Sequence, residues 1–146
     1  MNKFNFCIKW LQMMAIILCL LGVSLAFFGK TPFFYWMFFA RPIHPFFGIE
    51  TFTEQVLLLN AWSGAMSGSA YTFAGILMLF IITFVFPKKE RWAYNSILIG
   101  LFAWYTINVG FNIYYKIYFK VITDSSFFFP VLIPLICIKN DFKKLL

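Results

Sequence analysis

Charge is missing from this chain in long, bounded stretches. Trp10 to Phe28 carries no charged residue, and neither does Thr72 to Phe86. A helix apolar on every face has no stable place in water, and about 20 such residues, rising 1.5 Å each, match the hydrocarbon core of a bilayer. The pattern predicts an all-α integral membrane protein with four transmembrane helices in a bundle. The spans fall at about residues 10–28, 66–86, 92–114 and 119–138, within one four-helix membrane domain over residues 1–146.

The boundaries follow from local signals. Gly29 and Lys30 end the first span. The stretch Thr31 to Phe47 is broken by Pro32, Pro42 and Pro45, and its aromatic density suits an extracytoplasmic segment at headgroup level rather than another crossing. Thr51-Phe52-Thr53-Glu54 is a capping box that opens a short helix through Val56 to Leu59. That helix is expected to continue, kinked near Ser63-Gly64, into the second span, which Pro87 and Lys88-Lys89-Glu90-Arg91 terminate. The last segment is the awkward one. Its clean apolar run, Phe127 to Ile138, has only 12 residues. To cross, the helix must start near Tyr118 or Val121 and carry Asp124 into the outer part of the membrane, with Pro130 and Pro134 inside it. A re-entrant hairpin is the alternative.

Composition agrees with the membrane class: 62% of residues are hydrophobic, 12% are charged, and the mean hydropathy is +0.84. A net charge of +7 raises the question of nucleic acid. The basic residues lie at the ends of apolar segments, however, and not in a patch interleaved with stacking aromatics, which excludes that partner. Their distribution gives orientation instead. With both termini inside, Lys3, Lys9, Lys88, Lys89, Arg91, Lys139, Lys143 and Lys144 are cytoplasmic, against Lys30, Arg41, Lys116 and Lys120 outside. Eight against four satisfies the positive-inside rule. Ser24-Leu25-Ala26 loosely fits a signal-peptidase site, but the preceding apolar stretch is long enough to span, so the segment reads as an uncleaved anchor.

Several residues could carry more than packing. Gly64-Ala65-Met66-Ser67-Gly68 is a GxxxG, and Gly75 extends the stripe at helical spacing. Small residues let helix backbones approach closely in lipid, so Gly64, Gly68 and Gly75 read as a packing face within the chain, or as a contact with a second copy or a membrane-protein partner. Asn108 and Asn112 share one face of the third span, and Lys116 continues it. An ionisable residue inside a span is expensive, so Asp124 needs a named partner: Lys116 or Lys120, with Asn108 or Asn112 as donors. This cluster reads as interhelical glue or as a site for a polar ligand or headgroup. His44, the one histidine, lies in the aromatic segment and joins the candidate ligand-binding residues. It does not make a metal site alone, and Cys7, Cys19 and Cys137 have no metal or disulfide spacing. No catalytic motif is present, so no catalytic residue, metal or cofactor is expected. The basic tail after Ile138 is expected to lie against anionic headgroups.

The prolines and aromatics of Arg41 to Phe47, then Ala61-Trp62-Ser63-Gly64-Ala65-Met66-Ser67-Gly68, Lys89-Glu90-Arg91-Trp92-Ala93-Tyr94 and Pro134-Leu135, resemble a small family of uncharacterised bacterial inner-membrane proteins with four helices. The resemblance implies the fold and location and no assigned activity. It also implies a carboxylate midway through the third helix, where this chain has Asn108. The expected role is structural or accessory, with membrane lipids as partners. The alternative is binding of a lipid or small ligand by the outer Asn/Lys/Asp cluster; an intramembrane enzyme lacks an acid/base pair.

Overall fold

The computed structural model describes residues 2–29, 31 and 54–142. Every regular element among them is helical, and four helices are long and apolar enough to cross a membrane. They are α1 (Lys3–Phe28), α2 (Glu54–Phe80), α3 (Arg91–Tyr114) and α4 (Tyr118–Ile138). His44 and the aromatic segment around it lie outside the described residues, as do Thr51 to Thr53 of the capping box.

α1 begins at Lys3, ahead of the apolar run that starts at Trp10. The reason is a helical stripe that the charged flank conceals: Cys7, Ile8, Leu11, Met14 and Ala15 are all buried on one face, while Lys3 and Lys9 are exposed. Thr31 closes the other end, its N–H and its hydroxyl both donating to the Phe28 carbonyl at 2.9 and 2.7 Å. α2 runs unbroken through Ser63 and Gly64, where a kink is expected from sequence. The irregularity comes later, as a π-helical stretch at Ile81–Val85 and a 3-10 turn at Phe86–Lys88. The Phe86 N–H bonds the carbonyl five residues back, at Ile81. Pro87 explains this: it has no N–H for the Thr83 carbonyl and its ring crowds that group, so the last turn widens. Lys89, in the left-handed region at φ 57°, ends the element.

α3 and α4 form a helical hairpin joined by Tyr115–Ile117. The Lys116 N–H bonds the Ile113 carbonyl at 3.0 Å and the Ile117 N–H bonds Asn112 at 2.8 Å, the paired reverse bonds of a Schellman ending. Lys116 occupies the left-handed position (φ 60°) that glycine usually takes. α4 starts at Tyr118 and continues to Ile138 with Pro130 and Pro134 inside it, so the segment is one helix and not a re-entrant hairpin.

The chain divides into two compact units, Met1–Ile17 with Gly75–Leu146, and Leu18–Ala74. The core of the first joins Cys7, Leu11 and Met14 to Ile82, Phe86, Tyr94, Val131, Leu135 and Ile138, and the 3-10 turn Lys139–Phe142 adds Phe142. In the second, α1 and α2 touch backbone to backbone. A Cβ on Gly22 would lie 2.5 Å from the Thr72 nitrogen and 2.6 Å from the Gly68 carbonyl. One on Gly68 would lie 2.5 Å from the Gly22 carbonyl and 2.8 Å from the Ala26 nitrogen. Only glycine fits either position. Gly64 is buried there as well, and Gly75 is buried in the first unit.

Candidate functional site

Asp124 is the one buried charged residue among those described, 3% exposed in the second turn of α4. The helix brings Lys120 to the same face one turn earlier, and its ammonium pairs with Oδ1. From α3, the Asn112 side-chain amide donates to Oδ2 at 3.0 Å. Both carboxylate oxygens are therefore held by the protein, one through the same helix and one across the hairpin. The Lys120 side chain stays 28% exposed, so the pair opens to the surface on the lysine's side.

The seam continues one turn deeper. Ser125 donates its hydroxyl to the Val121 carbonyl at 2.7 Å and so accepts the Tyr105 hydroxyl, 2.9 Å away. The Tyr105 ring stacks on Phe128, centroids 3.9 Å apart. Asn112 and Tyr105 thus use one face of α3, two turns apart, to engage α4.

The other candidates stand elsewhere. Asn108 lies on the same α3 face but donates to the Trp104 carbonyl at 2.9 Å, within its own helix. Lys116 is exposed in the hairpin turn and is not among Asp124's partners. Gly68 packs on Gly22 and Ala26 of α1. Among the described residues no group of three His, Cys, Asp or Glu side chains could hold a metal ion, and all three cysteines are free thiols. Two open grooves, of about 390 Å³ beside Ile107 and Gly110 and about 340 Å³ beside Ala61 and Trp62, have no charged residue in their walls.

Three polar ties are not evident from sequence. Gln12 donates to the Thr83 hydroxyl at 3.0 Å, inside the π-helical stretch. The Cys19 thiol lies 3.7 Å from the Thr72 carbonyl. The Trp10 indole N–H reaches the Pro130 carbonyl at 2.9 Å. The last had a signal: Pro134 has no N–H, so the carbonyl four residues before it needs an outside donor.

Comparison with protein-family models, with curated proteins and with solved structures finds no match to this chain.

Proposed function

We propose that the chain is a multi-pass protein of a bacterial inner membrane, its four helices bundled and both termini cytoplasmic, with a structural or accessory role. The surface supports the membrane reading. Leu20, Phe73, Ile99 and Ile122, one on each helix, are between 61% and 68% exposed, an outward apolar face on every element that suits lipid and not water. The excess of Lys and Arg at one set of helix ends supports the orientation.

The observation that carries the accessory role is the closed state of Asp124. A ligand-binding carboxylate needs an open approach to its lone pairs; Asp124 is 3% exposed, with Lys120 on one oxygen and Asn112 on the other. The polar seam then serves as interhelical glue. The close approach of Gly68 to α1 likewise favours packing within the chain over a homodimer contact through that glycine. Lipids and other membrane proteins remain the proposed partners.

Native mass spectrometry of the detergent-purified chain, wild type beside Asp124→Asn, tests this role. Both forms are expected to show the same oligomeric state and the same bound lipid, with unchanged helical circular dichroism. A polar ligand retained by the wild type and lost from folded Asp124→Asn would replace the accessory reading with the ligand-binding one.

A further inference from the structure

One buried ring gathers the basic ends of the first unit. The Phe142 ring centroid lies 5.1 Å from that of Phe86, 5.1 Å from Tyr94 and 6.0 Å from Phe4. Each of these aromatics has basic residues beside it in sequence: Lys3 before Phe4, Lys88 and Lys89 after Phe86, Arg91 before Tyr94 and Lys139 before Phe142. Packing the rings together therefore brings charges distant in the chain to one place, and Lys9 lies just beyond the core residue Ile8. With Glu90 and Asp141, these stretches hold six basic and two acidic residues, a net of 6 − 2 = +4.

Among the described residues no ion pair neutralises that charge. The ion pair among them is Lys120–Asp124, in which none of the six takes part. Lys89 sits 5.3 Å over the Phe4 ring, and Lys3, Lys9, Lys88, Arg91 and Lys139 are exposed. Trp92 stands next to Arg91 with its ring 57% exposed, whereas Trp10, next to Lys9, turns its indole N–H inward to the Pro130 carbonyl.

We propose that this end of the molecule is a docking surface for anionic phospholipid headgroups. The phosphodiester charge complements the uncompensated lysines and arginine. The exposed Trp92 indole sets the partner as a membrane surface: an amphipathic ring is stable at the boundary of lipid and water, and a soluble polyanion would leave it in water. The aromatic base under Phe142 fixes the helix ends, so the charges meet headgroups with little ordering left to lose. Each Lys or Arg close to an anionic surface strengthens binding about fivefold.

The inference rests on the membrane reading, and the two fail differently. Extraction of the chain from membranes by alkaline carbonate would overturn both; a chain that resists extraction but has no headgroup preference overturns this one alone. The test is native mass spectrometry of the purified full chain titrated with phosphatidylglycerol and with phosphatidylcholine. Phosphatidylglycerol is expected to be retained preferentially. Lys88→Gln/Lys89→Gln/Arg91→Gln should lower that retention by about tenfold or more, and Lys116→Gln, at the opposite helix ends, should leave it intact. Equal retention of the two lipids, or an equal loss in Lys116→Gln, overturns the proposal. Should the triple variant lose its helical circular dichroism, Lys3→Gln/Lys9→Gln is read by the same criterion.

Discussion

Pro134 of α4 is accommodated through a single side chain of α1. Because Pro134 lacks an N–H, the Pro130 carbonyl has no partner in its own helix, and Trp10 supplies one at 2.9 Å. Such a bond is worth about 1 kcal/mol net. Trp10→Phe keeps an aromatic ring and loses the donor, so it is expected to destabilise the fold by about that amount. Pro134→Ala returns an N–H to the same carbonyl, and in that background Trp10→Phe should cost much less. Unfolding measured across the double-mutant cycle checks this, and strictly additive costs would show that the indole does not stand in for the N–H that Pro134 lacks. The carboxylate obeys a related asymmetry. Lys120→Met strands a buried charge with only Asn112 to hold it, an expected loss of about 2 kcal/mol. Lys120→Met/Asp124→Asn strands no charge and should be more stable than Lys120→Met alone; thermal unfolding in detergent that ranks them the other way would refute the pairing. Asp124 was legible in the sequence because a carboxylate inside an apolar run demands a partner. Trp10 was not, because a tryptophan beside a lysine also reads as an ordinary interface anchor.

Helix by helix, length and small residues were the readable quantities. The 12-residue apolar run after Ser126 could not cross by itself, and that arithmetic put the start of α4 near Tyr118 or Val121; the helix begins at Tyr118. The stripe Gly64, Gly68 and Gly75 was visible from helical spacing. Its counterpart Gly22 was missed, since a lone glycine within α1 gains meaning only when α2 is known to cross there. The π-helical stretch was missed for a similar reason: Pro87 announces the end of a helix but not how the preceding turn relaxes. These contacts divide the glycines into two kinds. Gly22→Ala and Gly68→Leu force side-chain atoms into the opposing backbone and should destabilise by about 1–3 kcal/mol or more. Gly100→Ala and Gly110→Ala on α3 meet nothing within 4 Å and should be neutral or stabilising by about 0.5–1 kcal/mol through helix propensity. Melting temperatures of the four single variants decide the matter, and a Gly22→Ala protein as stable as Gly100→Ala would mean that the α1–α2 approach is not this close.

For the whole molecule the open quantity is how often the chain crosses, and α4 is where the number is decided. Its 21 residues, at about 1.5 Å each, reach about 31 Å, just enough for a bilayer core. That length is available only because the polar first turns are included, with Asp124 brought in already paired to Lys120 and Asn112. In the proposed topology four crossings would return the C-terminus to the side of the N-terminus, and the eight-to-four bias of Lys and Arg would make that side cytoplasmic. Single cysteines in a chain whose Cys7, Cys19 and Cys137 are replaced by alanine separate the alternatives. An impermeant maleimide applied to intact cells should label Lys116→Cys, in the exposed turn between α3 and α4, and should reach Lys88→Cys and Lys139→Cys only after permeabilisation. Labelling of Lys116→Cys and Lys139→Cys from the same side would mean that α4 does not cross despite its unbroken helix. Labelling of Lys88→Cys and Lys139→Cys in intact cells, with Lys116→Cys protected, would keep four crossings and invert them. The basic cluster around Phe142 would then face outward, and the charge bias would have failed to orient this chain.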